Sequence, residues 1–97
     1  MSATSQTIRV SSSLEAVKRL REFLAAQGYL GEVASKLLFV VSVERKKSNG
    51  QEYYEVIARL PEMGVDGRMR VRTYRFRVDV ATGDVVGEPI DEAKNAH

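Results

Sequence analysis

The spacing of apolar residues changes partway along the chain, and that change restricts the fold more than any other feature. Up to about residue 27, apolar side chains recur every three or four positions: Leu14, Val17, Leu20 and Leu24, flanked by Ala16 and Phe23. Lys18, Arg19, Arg21 and Glu22 fill the opposite face. From about Leu38 the period becomes two, the period of strands. A helix with one apolar stripe must be covered, and the strands downstream are the available cover. The chain has 97 residues, enough for one core that buries roughly 60–70% of the unfolded surface without a disulfide or metal. The expected fold class is α+β: an N-terminal helix packed on a curved antiparallel sheet of three to four strands. Residues 11–87 form the single domain, with 1–10 a flexible N-terminus or short strand and 88–97 a flexible tail.

The helix is predicted over about 12–27. Ser12-x-x-Glu15 fits a capping box, in which the Ser12 hydroxyl takes the Glu15 N–H and the Glu15 carboxylate takes the Ser12 N–H. Gly28 stands where a left-handed residue closes a helix. Residues 29–37 read equally as a short second helix or an irregular link. Phe39-Val40-Val41-Ser42-Val43-Glu44-Arg45 reads as a strand whose front half is buried on both faces. Asn49-Gly50 is a strong hairpin signal. A second strand follows over 52–60, with Tyr54, Val56, Ala58 and Leu60 on one face and Tyr53, Glu55 and Arg59 on the other; Ile57 is the exception. Pro61 is expected to end it, and 61–67 to form a loop with a turn at Asp66-Gly67.

The third strand, 68–80, changes phase. Met69 and Val71 alternate with Arg68, Arg70 and Arg72, whereas Tyr74, Phe76, Val78 and Val80 alternate with Arg75, Arg77 and Asp79. A strand that keeps one core face must absorb an extra residue, so a bulge or sharp bend is predicted at about 72–74. That bulge would put all five arginines on the solvent face. Ala81-Thr82-Gly83-Asp84 makes a tight turn, Val85-Val86 starts a short last strand, and Glu88 to His97 reads as a frayed polar tail.

Several chemistries are disfavoured. There is no cysteine, hence no thiol nucleophile or thiolate ligand. The only histidine is His97, which makes a Ser-His-Asp site or a histidine-bearing zinc site a poor fit. Gly64-Val65-Asp66-Gly67 lacks the Gly-Lys-Ser/Thr of a phosphate loop and reads as a turn. Glu52 and Glu55 are three apart on a strand, on opposite faces, and do not make an acid/base pair. No catalytic residue, cofactor or metal is therefore nominated. The longest apolar run, Leu37-Leu38-Phe39-Val40-Val41, is far short of the ~20 residues of a membrane helix, so no membrane partner is expected. Met1 to Gln6 has no basic start and no apolar stretch, which reads as cytoplasmic rather than secretory.

The formal charge of +2 is too small to imply nucleic acid by itself. Its distribution matters more. Arg68, Arg70, Arg72, Arg75 and Arg77 lie within ten residues, with Arg59 and the ring of Tyr53 on the neighbouring strand and Lys46 and Lys47 in the first hairpin. Arginines beside an exposed aromatic can hold single-stranded nucleic acid. The commoner origin of such a pattern is a solvated face, tied by cross-strand pairs to Glu44, Glu55 and Asp79. A protein partner, or a homodimer through an edge strand, is a further use; a small-molecule pocket between helix and sheet is a weaker one.

The order of elements, with Asn49-Gly50-Gln51-Glu52-Tyr53-Tyr54-Glu55-Val56 and Arg77-Val78-Asp79-Val80-Ala81-Thr82-Gly83-Asp84-Val85-Val86, resembles the PepSY domain over about residues 12–87. The resemblance implies a cystatin-like arrangement, a helix across a curved antiparallel sheet. It also implies a non-catalytic role in binding or inhibiting other proteins, with no catalytic residues carried over. The Pro61–Gly67 loop and the arginine run depart from that family's pattern, as does the lack of a signal or anchor. The function expected from the whole reading is a non-catalytic protein-interaction or inhibitory module; the alternative is a nucleic-acid-binding domain using the arginine strand.

Overall fold

The computed structural model describes residues 10–90. Residues 1–9 and 91–97, and with them His97 and most of both expected flexible ends, lie outside the described residues. Two helices, α1 (Ser13–Ala25) and α2 (Tyr29–Lys36), precede four strands: β1 (Phe39–Ser48), β2 (Gln51–Met63), β3 (Met69–Asp79) and β4 (Val85–Pro89). The strands form one antiparallel sheet in the order β1-β2-β3-β4. This is the α+β arrangement that the change of period implies.

Ser12 caps α1 as expected, its hydroxyl accepting the Glu15 N–H at 3.2 Å. The return bond goes one residue further out. The Glu15 carboxylate accepts from the Ser11 N–H at 2.8 Å and the Ser11 hydroxyl at 2.7 Å, not from Ser12. The Ser11 backbone bond first, and then its hydroxyl, hold this carboxyl below its ordinary value of 4.5. Gly28 has the expected positive φ, 102°, and there it joins the two helices. The undecided segment 29–37 is mostly helical. Gly31 lets α2 approach α1: a methyl group at that position would overlap the backbone carbonyl oxygen of Leu24.

The helices cover one face of the sheet, here called the inner face. Ala16, Leu20 and Leu24 of α1 and Ala34 of α2 meet Tyr54, Val56, Ala58 and Leu60 of β2 and Phe76 and Val78 of β3. Val10 joins this core and donates its N–H to Val80 at 2.9 Å. Asn49 and Gly50, with φ of 54° and 81°, form the turn between β1 and β2 that a two-residue hairpin needs. The turn after β3 closes through Gly83 N–H to Asp79 O at 2.8 Å and Asp79 N–H to Asp84 O at 2.9 Å. No helix among the described residues is long and apolar enough to cross a membrane.

Four expectations are corrected. First, β3 carries no bulge at 72–74: β2 and β3 stay in register from Tyr53↔Asp79 to Met63↔Met69. The sheet's irregularity falls instead at Val41 in β1, between Val40↔Ala58 and Ser42↔Ile57. That extra residue allows Val40 and Val43, three apart, both to pack on the core. Second, the front of β1 is not buried on both faces, because β1 is an edge strand and only one face has helices over it; Phe39 and Val41 are exposed. Third, Pro61 does not end β2. β1 starts at Phe39 opposite Arg59, so beyond Arg59 only β3 flanks β2, and a proline is tolerated along such an open edge. Fourth, Glu88 and Pro89 belong to β4, and Ile90 N–H bonds Thr73 O at 2.9 Å, so the sheet takes up the first residues of the expected tail.

Two outcomes follow from this packing. Gly31→Ala, which in an ordinary helix interior would add stability, is expected to lower it by ~1–3 kcal/mol in urea denaturation, because α2 must move off Leu24. Glu15, with its lowered folded pKa, stabilises the fold above the unfolded value of 4.5, and that contribution is lost as pH falls from there through the folded pKa. Thermal melts of Glu15→Gln should therefore differ from wild type at neutral pH and converge with it in acid.

Candidate functional site

Because β2–β3 pairing is unbroken, residues of equal parity share a face on both strands, and the arginine run divides. Arg70 and Arg72 stand opposite Glu62 and Leu60 on the inner side, beyond the helices. Arg75 and Arg77 stand opposite Ile57 and Glu55 on the outer face, together with Tyr53 and Arg59. Arg68 precedes β3 in the hairpin loop, where its N–H donates to Asp66 Oδ1 at 3.0 Å. The expectation that all five share one face is thus overturned by the register.

Most of these cations already have an acidic partner. Arg70 bonds Asp66 Oδ2 at 3.0 Å and Arg72 bonds Glu62 Oε2 at 3.3 Å. Glu62 Oε1 also accepts the Tyr74 hydroxyl at 2.9 Å; burial, and then this bond, push the Tyr74 phenol above its ordinary value. On the outer face, Glu55 sits between Lys46 Nζ at 3.0 Å and Arg75 Nε at 3.5 Å, and Arg75 Nη1 bonds Glu88 Oε2 at 2.7 Å. The bond to Glu55, and then its charge, hold the Lys46 ammonium above the usual lysine range. On the inner face Arg45 pairs with Glu52. Arg77 lies over the Tyr53 ring, 5.0 Å from its centroid, so one side of the expected stacking platform is already taken. Such exposed pairs contribute ~0.2–1 kcal/mol each, and they neutralise the field that a polyanion would seek.

Arg59 is different. In the sheet it lies between Phe39 of β1 and Thr73 of β3. No carboxylate among the described residues pairs with it. Around it the outer face is apolar. Phe39 is 63% exposed and Val71 71% exposed, and with Leu37 and Pro61 they line a shallow hollow of about 310 Å³ beside Arg59. A second groove of about 340 Å³ runs between α2 and the end of the β2–β3 hairpin, past Leu30, Met63 and Met69. The two share Leu60 and Pro61, so one apolar surface wraps the end of the sheet. Among the described residues no three acidic or histidine side chains cluster in a way that could hold a metal.

Comparison with protein-family models, with curated proteins and with solved structures finds no match.

Of the residues singled out from sequence, the structure brings Tyr53, Arg59, Arg75 and Arg77 to one face and leaves Arg68, Arg70 and Arg72 off it. The apolar end of the sheet escapes the sequence reading because its members look like core or loop: Phe39 and Val41 belong to the longest apolar stretch, Met69 and Val71 alternate with arginines, and Pro61 resembles a strand end. The signal that exposes them is the Asp66-Gly67 turn. Once Met63 is paired with Met69 across it, Val71 falls opposite Pro61 and outside the core face.

The pairing of charges predicts weak binding to nucleic acid. In titrations with a single-stranded DNA oligonucleotide at about 50 and about 200 mM salt, wild type should bind no better than the triple variant Arg70→Ser, Arg72→Ser, Arg75→Ser. A steep salt dependence present only in wild type would contradict this.

Proposed function

We propose that this domain is a non-catalytic protein-interaction module that engages its partner through the apolar end of the outer sheet face. The single observation that carries the reading is the contiguous exposure of Phe39, Val71, Met63, Met69 and Leu30 around Pro61, at the end of the sheet opposite the ion pairs of the first hairpin. Exposed apolar patches rimmed by polar groups mark interaction sites. Complete cover of a side chain such as Phe39 or Val71 is worth up to ~1.5–3 kcal/mol, so a few of them together supply a useful affinity.

The open edges support the face rather than a strand-to-strand contact. β1 has an extra residue at Val41 and carries Arg45, Lys46 and Lys47 towards its end, and β4 is five residues long and ends in Pro89. Bulges, lysines, prolines and short length all discourage edge pairing. The resemblance to PepSY domains points the same way, towards a domain that binds or inhibits other proteins without catalysing anything.

The reading is tested by Val71→Glu. Val71 is 71% exposed, so the change should shift stability by no more than about 0.5 kcal/mol. Proteins captured from a lysate by immobilised wild type should be absent from the Val71→Glu capture and present in that of Lys47→Glu, a control at the other end of the sheet. Identical captures on all three would sink the proposed face.

A further inference from the structure

We infer that the segment received by this face carries a carboxylate set among apolar side chains, and that Arg59 binds it. The inference rests on the proposed interaction face and specifies its occupant. Arg59 is the cation within that face, with Phe39 beside it on one strand, Thr73 on the other, and Pro61 and Val71 one step along. The neighbouring arginines Arg72 and Arg75 have their own acids, at 3.3 Å and 2.7 Å. Arg59 has none among the described residues, and its side chain is exposed.

That arrangement selects the chemistry of the occupant. A purely apolar segment laid over Phe39 and Val71 would strip water from the guanidinium and give nothing back, at a cost that offsets the apolar gain. A second copy of this chain, docked face to face about a two-fold axis, would bring a second Arg59 against the first. A polyanion would find Arg59 and, in the hairpin loop, Arg68 as the cations without an acid among the described residues at this end, too few charges for phosphate binding. A carboxylate flanked by apolar side chains satisfies both halves of the surface. Its two oxygens match the guanidinium fork, and its neighbours cover the hollow. Arginine in an apolar surround is also the residue type on which binding energy concentrates.

The experiment is selection of phage-displayed random peptides on immobilised full chain, run in parallel on wild type, Val71→Glu and Arg59→Glu. Wild type should enrich peptides in which one Asp or Glu stands among aliphatic or aromatic residues. Val71→Glu should enrich none of them. Arg59→Glu should lose them and enrich peptides with Lys or Arg in the acidic position. A synthetic peptide from the wild-type pool should bind Arg59→Met ~10-fold more weakly than wild type, while its amide version, Asp to Asn or Glu to Gln, binds both proteins alike. Phe39→Glu replaces Val71→Glu as the face variant if circular dichroism shows the latter unfolded.

Failure takes distinguishable forms. A wild-type pool without acidic residues, or one kept by Arg59→Glu but lost by Val71→Glu, overturns the carboxylate and leaves the face standing. A pool kept by the face variant, or no enrichment on either wild type or the Asp91→Asn, Glu92→Gln variant, overturns the face and the inference together. A dimer in sedimentation that Val71→Glu dissociates puts a second copy on the surface and overturns the peptide occupant. Enrichment that appears only with Asp91→Asn and Glu92→Gln assigns Arg59 to the chain's own acidic residues and overturns a separate partner.

Discussion

Eleven residue pairs hold β2 against β3 without a slip, from Tyr53↔Asp79 to Met63↔Met69. Everything else in the sheet takes its orientation from this ladder. Tyr54, Val56, Ala58 and Leu60 face the helices, so their partners Val78, Phe76, Tyr74 and Arg72 face the same way. The inner face is therefore apolar only as far as the helices extend. Beyond them it ends in Arg72 and Glu62, bonded to each other, with the Tyr74 hydroxyl on the same carboxylate. Met69 and Val71 are then obliged to face outwards. Had a bulge near Thr73 restored them to the core side, Arg70 and Arg72 would have joined the outer arginines, and the exposed apolar surface would not exist.

The outer face consequently has two ends of different character. Near the first hairpin it carries Lys46, Glu55, Arg75 and Glu88 in one chain of ion pairs, and Arg77 on Tyr53. The Glu55 carboxylate is largely covered by its partners, but Lys46, Arg75 and Glu88 keep much of their hydration, so little is gained by covering them. At the other end Phe39, Pro61 and Val71 surround Arg59. There the balance reverses, because removing apolar carbon from water is favourable at about 25 cal/mol per Å² and little polar surface has to be stripped. The dominant effect over one half is solvation and over the other the hydrophobic effect, and only the second offers a partner a reason to bind.

What could be read from sequence follows the range of the interaction responsible. Short-range chemistry was legible: the Ser12 cap, the Asn49-Gly50 turn, the core stripe of α1 and the inward face of β2 all depend on neighbours a few residues away. Pairings between distant segments were not. The bulge at Val41 depends on how β1 meets β2, and nothing local to Phe39-Val40-Val41 distinguishes an edge strand from a buried one. Helix α2 depends on Gly31 coming against Leu24, a contact that an eight-residue segment cannot announce by its own pattern. The arginine run is conspicuous in the sequence, but the placement of its members on the two faces depends on the β2–β3 register. Among the arginines, Arg59 proved the one set apart, for what surrounds it rather than for its membership of a run.

The protection of the edges gives the exposed face its meaning. A chain under no constraint beyond solubility would blunt its sticky surfaces wherever it could. This one does so at both sheet edges, with a bulge and basic residues on β1 and a short proline-ended β4. It does so again over much of the outer face near the first hairpin, where Lys46, Glu55, Arg75 and Glu88 form ion pairs and Arg77 lies on Tyr53, with Ile57 and Val86 as the apolar members. Yet at the other half it leaves Val71 71% exposed and Phe39 63% exposed, beside a groove that Leu30 and Met69 continue on to α2. The β2–β3 register that turns Met69 and Val71 out of the core, together with the β1–β2 pairing of Phe39 with Arg59, sets Phe39, Pro61 and Val71 near one another across three strands. Scattered singly they would be unremarkable surface; contiguous, and beside a cation without an acid among the described residues, they form the surface on which the proposed apolar segment with its carboxylate would satisfy both the exposed carbon and the guanidinium.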